Sequence, residues 1–325
     1  MKICFLDNTR FKYSYLDKHS PLLRGAETIL INLTENLKML GHEVTVFNNC
    51  SDDIDNNSSN WFNIKNVNKQ MNFDIAVANA DMRLLDTITA AKKFIISYSL
   101  QSIEKFLRKG QLISYFKNKP TILLIGKYHM KNRSKLLSLF GSKIIDIAID
   151  DLFLNTKLTN NIDSNLAIFT SRPDRNLDIL IKIWSENILP NFKNAKLLTT
   201  PTETVSQSSN IIFRKMDSQE NLIKDLLRSK VFLAPGHKAE LFCLAAEEAR
   251  ELCLPTVTLG IGSLSERVTH EKTGFIAKNN KDFADYTIEL FKNKDLWNSI
   301  RANLINLRGS SNWKSSTKVF LDSVS

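Results

Sequence analysis

The 325-residue chain has no hydrophobic run long enough to form a signal-peptide core or to span a membrane. Its opening residues, MKICFLDNTR, reach Asp7 and Arg10 after a short apolar stretch. We therefore expect a cytoplasmic protein. The length fits two domains of about 150 residues each, and a hydrophobic content of 43% excludes wholesale disorder.

The sequence also lacks the cysteine patterns of metal sites. None of its four cysteines forms a C-x-x-C pair, and none has a histidine partner at zinc spacing. They are Cys4, Cys50, Cys243 and Cys253. We expect reduced core residues and no metal site.

Acids are almost missing from residues 92–143, which contain twelve lysines or arginines and one acid, Glu104. This segment accounts for the whole net charge of +10. Such a surface suits anionic lipid headgroups, a phosphorylated acceptor or nucleic acid. The alternative interpretation is a solvated face with no dedicated partner.

Short apolar segments alternate with helix-length segments along the whole chain. ICFL, VTVF, FDIAVAN, KFIISY and TILLIG are predicted strands of a first domain, residues 1–157. LAIFTS, KLLTT, NIIFRK, VFLAP and PTVTLG are predicted strands of a second, residues 158–309. This alternation predicts two α/β domains with doubly wound parallel sheets, and ligands of such sheets bind beyond the carboxyl ends of the strands.

Three local features complete this picture. Leu30, Leu33, Leu37 and Leu40 recur at the spacing of one buried helical face. The Asn-rich residues 52–72 predict an irregular loop. Residues 310–325 predict a helix that either packs back on the first domain, anchored by Trp313, or forms a free amphipathic end.

The stretch ELFCLAAEEARELCLPTVTLGIGSLSERV, residues 240–268, combines an acidic helical segment, a strand and a glycine-bearing turn. A helix that begins near Phe242 would offer N–H groups to a phosphate, and Glu248 could accept hydrogen bonds from sugar hydroxyls. The alternative is that Glu247, Glu248 and Glu251 lie on a solvated helical face. GIGSLS lacks the third glycine of a dinucleotide fingerprint, which argues against a dehydrogenase.

These residues resemble the donor site of the retaining glycosyltransferases of family 4, bacterial-type group 1 enzymes of the GT-B fold. That family shows two glutamates separated by seven residues, then Pro-Val, Gly-Gly-x-x-Glu and Thr-Gly-Phe. The matching positions here are Glu240, Phe242, Glu248, Ala249, Pro255, Val257, Gly262, Glu266, Thr273, Gly274 and Phe275. Leu241, Cys243 and Ser263 depart from the family's glycines.

The resemblance implies two Rossmann-like domains that face each other across a cleft, and it implies roles for residues of the second domain. Glu240 would contact the transferred sugar and Glu248 the ribose. Amides around Phe242, Cys243 and Leu244 and around Gly262, Ser263 and Leu264 would bind the donor. Arg175 matches a basic position on the diphosphate, where a guanidinium can neutralise developing charge. Arg172 is a second candidate, with a surface turn as its alternative.

In the first domain, PLLRGAETILINL resembles the family's Gly-Gly-x-Glu loop, with Gly25 and Glu27 retained. The resemblance implies contact with the donor phosphates; an ordinary helix start is the alternative. Ser97 and Tyr98 stand where several members have a histidine near the reacting sugar. His129 is a third acceptor-side candidate, although a lone histidine near a strand end is more often structural.

The resemblance implies a metal-independent, retaining transfer of sugar from a UDP- or GDP-linked donor to a glycan or lipid-linked acceptor in cell-surface polysaccharide or glycolipid synthesis. No cofactor and no nucleic acid partner are expected. Among the interpretations of residues 92–143 we favour an anionic membrane surface, with peripheral attachment at the inner face of the cytoplasmic membrane. A sugar-nucleotide epimerase of the same fold and a nonenzymatic nucleotide-sugar-binding scaffold are the alternatives.

Overall fold

The computed structural model divides the chain into two compact units, Met1–Ala148 with Trp313–Ser325 and Ile149–Asn312. It describes residues 1–20, 22–51, 60–100, 102–203, 208 and 210–325. Each unit is built around one parallel β-sheet with helices in the connections between strands. The predicted class of two parallel α/β domains is confirmed.

The first unit has seven parallel strands in the order β3-β2-β1-β4-β5-β6-β7. Their bounds are β1 Lys2–Leu6, β2 Glu43–Asn48, β3 Trp61–Asn63, β4 Asn72–Asn79, β5 Thr89–Ile96, β6 Thr121–Leu124 and β7 Ser142–Ile144. Its helices before the last strand are α1 Gly25–Met39, α2 Ile103–Arg108, α3 Leu112–Asn118 and α4 Lys127–Asn132. The sheet order reverses direction between β1 and β4, which creates a topological switch point there.

Helix α1 buries the predicted leucine face only in part. Leu30, Leu33 and Leu37 are buried. Leu40 follows the last helical residue and is 38% exposed, so its placement on the buried face was wrong. The helix ends one residue too early to turn that side chain towards the sheet.

The second unit has six parallel strands in the order β10-β9-β8-β11-β12-β13. They are β8 Leu166–Phe169, β9 Lys196–Thr199, β10 Ile211–Phe213, β11 Val231–Gly236, β12 Thr256–Ile261 and β13 Gly274–Ile276. The helices are α5 Asp151–Asn155, α6 Leu177–Ile183, α7 Gln219–Arg228, α8 Leu244–Glu251, α9 Leu264–Arg267, α10 Asn280–Lys292 and α11 Lys294–Leu307. A second switch point lies between β8 and β11.

Three strands of three residues were not among those predicted. β3, β7 and β13 each lie at an edge of a sheet, where one side of the strand needs no partner. Segments this short show too little periodicity to be recognised. The Asn-rich loop predicted for residues 52–72 thus contains β3, while residues 52–59 lie outside the described residues.

The division between the units falls nine residues before the position expected from the sequence, at Ala148 and Ile149 rather than at 157 and 158. The reason is hydrophobic packing. Ile149 and Phe153 share one buried cluster with Leu166 and Ile168 of β8. Helix α5 therefore belongs to the core of the second unit.

The last helix, α12 (Trp313–Val324), packs within the first unit, although more than half of the chain separates it from that unit's other elements. Trp313 and Phe320 are both 1% exposed. The Phe320 ring stacks on Phe5 of β1 with 5.9 Å between centroids. This aromatic contact joins the helix to a central strand of the sheet.

We expect Phe320→Ala to lower the free energy of unfolding of the first unit by about 3–5 kcal/mol, because it removes a fully buried ring and leaves a cavity. Lys318→Ala on the exposed side of the same helix is the matched control and should change it by less than about 0.5 kcal/mol. Urea unfolding followed by circular dichroism measures both. Equal effects of the two substitutions would show that α12 does not contribute to this core.

Candidate functional site

The switch point of the second unit lies between the loops that follow β8 and β11, residues 170–176 and 237–243. In open parallel sheets this is where ligands bind, beyond the carboxyl ends of the strands. A hydrogen bond joins the two loops: the side-chain amide of Asn176 donates to the Gly236 carbonyl over 2.5 Å. The predicted residues Arg172, Arg175 and Glu240 lie on these loops.

Glu240 is half-buried in the loop after β11. Burial raises the pKa of its carboxyl group, against lowering contributions from a hydrogen bond with the Cys243 thiol and from the charges of Arg175 and Arg172. The thiol of Cys243 is itself buried, and burial raises its pKa well above the ordinary value, so it stays protonated and donates to the carboxylate. The structure thus brings one acid and two arginines together.

The two arginines share one internal partner. Arg172 lies 2.9 Å and Arg175 3.1 Å from a carboxylate oxygen of Asp174. The Arg175 side chain is 20% exposed, whereas those of Arg172 and Asp174 are 63% and 59% exposed. Ion pairs this accessible to water contribute little energy and are easily exchanged for another anion.

Gly262 permits the loop after β12 to touch the loop after β11 backbone to backbone. Its φ is +74°, and a Cβ atom here would lie 2.3 Å from the His237 carbonyl oxygen and 2.9 Å from that of Glu240. The main-chain N–H of Ser263 donates to the Glu240 carbonyl over 2.9 Å. The Ser263 amide therefore holds the loop of Glu240, while its buried hydroxyl has no hydrogen-bond partner in the described part of the chain.

Helix α8 begins at Leu244, after Cys243 in a left-handed conformation with φ of +63°. Phe242 is buried directly before this helix, and the Arg267 guanidinium lies over its ring, 4.4 Å from the centroid. The helix start therefore has a fixed direction beside Glu240. Its first turn leaves N–H groups without helical partners, as at every helix N-terminus.

Glu248, in the second turn of α8, is a half-buried carboxylate to which the described residues donate no side-chain hydrogen bond. Burial raises its pKa to about 7. The charge of Arg214 lowers that pKa and the charge of Asp150 raises it, so both groups are near. A carboxylate in this environment is a poorly solvated acceptor that external hydroxyl groups can satisfy.

The neighbouring acids do not fit the alternative of a solvated helical face. Glu247 and Glu251 are 3% and 0% exposed. Arg250 contacts both, at 2.8 and 2.7 Å, and Arg267 lies 2.9 Å from Glu247. The Arg250 pairs lie within α8, whereas the Arg267 pair joins α8 to α9, which directly follows Gly262 and Ser263.

Arg214 and Arg267 were missed in the sequence analysis. Arg214 directly follows β10, and Arg172 lies three residues after β8, so the position in the loop after a strand is the signal that could have identified Arg214. Its side chain is 3% exposed and lies 3.4 Å from Asp225. Arg267 had no comparable signal, because its contacts with Glu247 and Phe242 join residues twenty or more positions apart in the sequence.

The Thr-Gly-Phe part of the pattern has a structural explanation. Gly274 starts β13 with φ of +156°, and a Cβ atom at this position would lie 2.0 Å from the Thr256 carbonyl oxygen of β12. Phe275 is buried in the core. These residues attach an edge strand to the sheet.

In the first unit, Gly25 is the first residue of α1 and Glu27 is buried in its first turn. Glu27 accepts a hydrogen bond from Arg24 over 2.7 Å through one oxygen, while the other oxygen is buried without a partner among the described residues. Burial, together with the charges of Asp7 and Glu27, raises the pKa of the Tyr98 phenol well above its ordinary value. The Tyr98 hydroxyl also has no hydrogen-bond partner within the described residues.

Ser97 and His129 support the backbone near Tyr98. The Ser97 hydroxyl donates to the Ser99 carbonyl over 3.2 Å, and the His129 Nε2 atom lies 3.0 Å from the same carbonyl oxygen. His129 is fully buried, and burial lowers its pKa to about 4, so it is neutral at pH 7. This buried position beside a backbone carbonyl fits a structural role for His129.

A cavity of about 330 Å³ lies at the carboxyl ends of β1 and β4, the switch point of the first unit. Asn8, Asp81, Arg83, Arg108 and Lys109 line it. The Asn8 amide donates to Asp81 over 2.7 Å. Arg108 and Lys109 are exposed cations from the basic segment.

The described residues contain no group of three or more histidine, cysteine, aspartate or glutamate side chains placed to hold a metal ion. Among their helices none combines the length and the apolar character needed to cross a bilayer.

Parallel α/β units of this kind bind ligands at their switch points, beyond the carboxyl ends of the strands. Residues 190–306, which lie within the second unit, match the model of the family described as glycosyl transferases group 1. No curated protein has a sequence that matches the chain.

Solved structures resemble the chain over different lengths. HepE of Anabaena in complex with UDP is 14% identical, with 99% of each chain covered and a TM-score of 0.70. Sucrose-phosphate synthase of Thermosynechococcus elongatus is 12% identical, covering 99% of this chain and 98% of its own, with a TM-score of 0.69. A TarM variant of S. aureus, with fondaparinux, α-GlcNAc-glycerol and UDP, is 13% identical, with 76% of this chain covered and a TM-score of 0.60.

The chain spans 55% of the length of that TarM chain. These comparisons confirm the GT-B fold and the resemblance to group 1 glycosyltransferases. Membership in family 4 and retention at the anomeric carbon stay predictions.

We expect Glu248→Gln to stabilise the fold at pH 8 by about 2 kcal/mol and to have no effect at pH 4. The folded pKa of about 7 lies above the ordinary value of 4.5. Between pH 4.5 and 7 the folded protein keeps the Glu248 carboxyl group protonated, whereas the unfolded chain has released this proton. The free energy of unfolding therefore falls as the pH rises through this range. Urea unfolding at both pH values measures this, with the exposed Glu186→Gln as control. A gain that is equal at both pH values would contradict the assigned burial.

Proposed function

We propose that this protein transfers a sugar from a UDP- or GDP-linked donor to a glycan or lipid-linked acceptor, with retention at the anomeric carbon. The observation that carries the proposal is the half-buried, unsatisfied carboxylate of Glu248 beside the switch point of the second unit, within the segment that matches group 1 glycosyltransferases. A neighbouring pair of ribose hydroxyls supplies the two donors that this carboxylate lacks.

The donor nucleotide is bound by the loops around β11 and β12. Glu248 accepts from the ribose, and amides at Phe242, Cys243 and Leu244 at the start of α8 bind phosphate oxygens. Gly262 and Leu264 supply backbone contacts, whereas the Ser263 amide is used within the protein. UDP is the first nucleotide to test, because the HepE and TarM structures contain it.

Charge on the departing diphosphate is neutralised by Arg175 and Arg172. Both guanidinium groups now pair with the exposed Asp174, so a diphosphate has only a weak ion pair to displace. A guanidinium presents a planar pair of donors to phosphate oxygens. This stabilisation acts where negative charge builds up as the glycosidic bond breaks, and it needs no metal ion.

Glu240 contacts the hydroxyl groups of the transferred sugar. Its half-buried carboxylate keeps hydrogen-bond acceptor sites beyond the one that the Cys243 thiol occupies. In the proposed front-face mechanism the bond between the anomeric carbon and the diphosphate oxygen breaks as the acceptor hydroxyl attacks from the same side. That diphosphate oxygen takes the acceptor's proton, so no protein nucleophile is needed.

The acceptor is bound by the first unit. Its switch-point cavity combines a carboxylate, Asp81, with the cations Arg108 and Lys109, which favours a hydroxylated acceptor that also carries negative charge. Lipid-linked acceptors are consistent with peripheral attachment of the basic segment to an anionic membrane, within polysaccharide or glycolipid synthesis.

We expect one nucleotide family among UDP, GDP and ADP to bind in calorimetry, and Glu248→Ala to weaken that binding about tenfold or more. Because only the ionised carboxylate accepts both ribose hydroxyls, the affinity should fall about tenfold between pH 8 and pH 6. Glu248→Gln should remove that part of the pH dependence, while the nucleotide's own titration stays the same in both proteins.

Binding of no nucleotide by the wild-type chain would contradict the proposed donor site and favour a scaffold. If Glu248→Ala binds the nucleotide as tightly as wild type does, the nucleotide does not contact Glu248. An epimerase would convert the nucleotide sugar without an acceptor, which thin-layer chromatography of the donor alone detects.

We expect Glu240→Ala to abolish sugar transfer, by a factor of about 10³ in kcat, and to leave nucleotide affinity within about threefold of wild type. Transfer is measured with a radiolabelled donor in the presence of EDTA, which should have no effect on the wild-type rate. Asp178→Ala on α6 is the control, because it also removes one carboxylate from the second unit. Unchanged turnover by Glu240→Ala would overturn the assignment of this residue.

A further inference from the structure

A second, larger cavity of about 520 Å³ lies in the first unit at the amino ends of β5, β6 and β7. Parallel strands place these amino ends at the edge of the sheet opposite the switch-point cavity. Five lysines contribute to its lining. Two lie in β5, one in β7, one in α3 and one between α3 and β6. They are Lys92, Lys93, Lys117, Lys119 and Lys143.

The positive charge of this cavity is poorly compensated. The nearby acid Asp86 lies 3.1 Å from Lys117 and accepts hydrogen bonds from Ser114 and Asn118. Among the described residues, neither Lys119 nor Lys143 has an ion pair. Each extra ammonium group raises the local positive potential, so the cavity attracts multiply charged anions.

Two of the lysines are held in place by oxygen acceptors, one of which belongs to Ser325, the last residue of the sequence. The Lys93 Nζ atom donates to the Leu85 carbonyl and to the Asn118 side-chain oxygen, each over 2.8 Å. Lys92 donates to the main-chain oxygen of Ser325. Burial and the neighbouring charges of Lys117 and Lys69 lower the pKa of Lys93, against a raising contribution from Asp86. These contacts hold like charges together at one edge of the sheet, which is unfavourable unless an anion joins them.

We propose that this lysine cavity binds a phosphate-bearing ligand, either a soluble phosphate compound or the phosphate headgroup of an anionic lipid. Ammonium groups are compact point charges that suit phosphate oxygens without demanding a fixed geometry. The volume falls in the range of small-ligand sites, roughly 300–1,000 Å³. No carboxylate other than Asp86 is among the side chains that meet the lysines in the described residues.

The bound ligand does not take part in the transfer chemistry. Lys92 and Lys93 are the fourth and fifth residues of β5, and Tyr98 follows its carboxyl end. At about 3.3 Å per residue, Lys93 and Tyr98 lie roughly 17 Å apart along the extended chain. The lysine cavity is therefore an anchoring or regulatory site, and the inference does not depend on the proposed glycosyl transfer.

The test compares a variant with a control of equal charge. Lys119→Gln/Lys143→Gln removes two cations of the cavity that have no ion pair, and leaves Lys93 and its hydrogen bonds in place. Lys131→Gln/Lys135→Gln removes two exposed lysines of the same basic segment, on and after α4, which follows the carboxyl end of β6. Inorganic pyrophosphate is titrated into each protein by calorimetry at 50 mM and 150 mM NaCl.

A second arm uses sedimentation with vesicles of phosphatidylcholine alone or with 30% phosphatidylglycerol. We expect the cavity variant to bind at least one of the two probes roughly 30-fold more weakly than wild type, since each lysine near a phosphate surface contributes about a factor of five. The control should change the affinity less than threefold. Wild type, the cavity variant and the control all keep any pyrophosphate site outside the cavity. A loss of affinity that occurs in the cavity variant alone therefore reports on the cavity.

Loss of pyrophosphate binding in the cavity variant supports a soluble phosphate ligand. Loss of binding only to the vesicles that contain phosphatidylglycerol supports a lipid headgroup. The proposal is overturned if wild type binds neither probe, or if the control loses as much affinity as the cavity variant. UDP binding is measured in the cavity variant as well. If it is unchanged, the result for the lysine cavity is independent of the proposed donor site.

Discussion

The arrangement of the second unit's loops depends on one close backbone contact, that of Gly262 with the His237 and Glu240 carbonyl oxygens. Any side chain at position 262 would overlap these atoms, and its φ of +74° also favours glycine. The hydrogen bond from the Ser263 amide to Glu240 completes the contact. Glu240 lies on an irregular loop, outside β11. Its backbone is therefore held by this contact and not by pairing between strands.

The ion pairs around α8 extend that constraint to the rest of the site. Arg267 contacts Glu247 and covers Phe242, so α9 is attached to the helix that carries Glu248. Glu248 itself is left without such a partner, and burial raises its pKa to about 7. The helix therefore carries two buried acids with ion-pair partners, Glu247 and Glu251, and a half-buried one, Glu248, for which the described residues supply no ion pair.

The sequence predicted the strands that lie inside the sheets, because long apolar segments between helices are unambiguous. It failed for the edge strands β3, β7 and β13, each of which has three residues and derives its structure from a neighbouring strand. For the site, the spacing of Glu240 and Glu248 and the glycine of the turn were visible in the chain. The burial of Glu247 and the proximity of Arg214 were not, since both depend on contacts between residues far apart in sequence.

The place of α12 in the first unit affects how the chain folds during synthesis. Trp313 lies 165 residues beyond Ala148, the last residue of the unit's main segment. At about 5–20 residues per second, a ribosome needs roughly 8 to 33 seconds to add that stretch. Throughout this interval the face of β1 around Phe5 lacks its aromatic cover, while the second unit, continuous in sequence, emerges complete. The nascent first unit therefore presents an exposed apolar surface to chaperones until translation reaches the last helix.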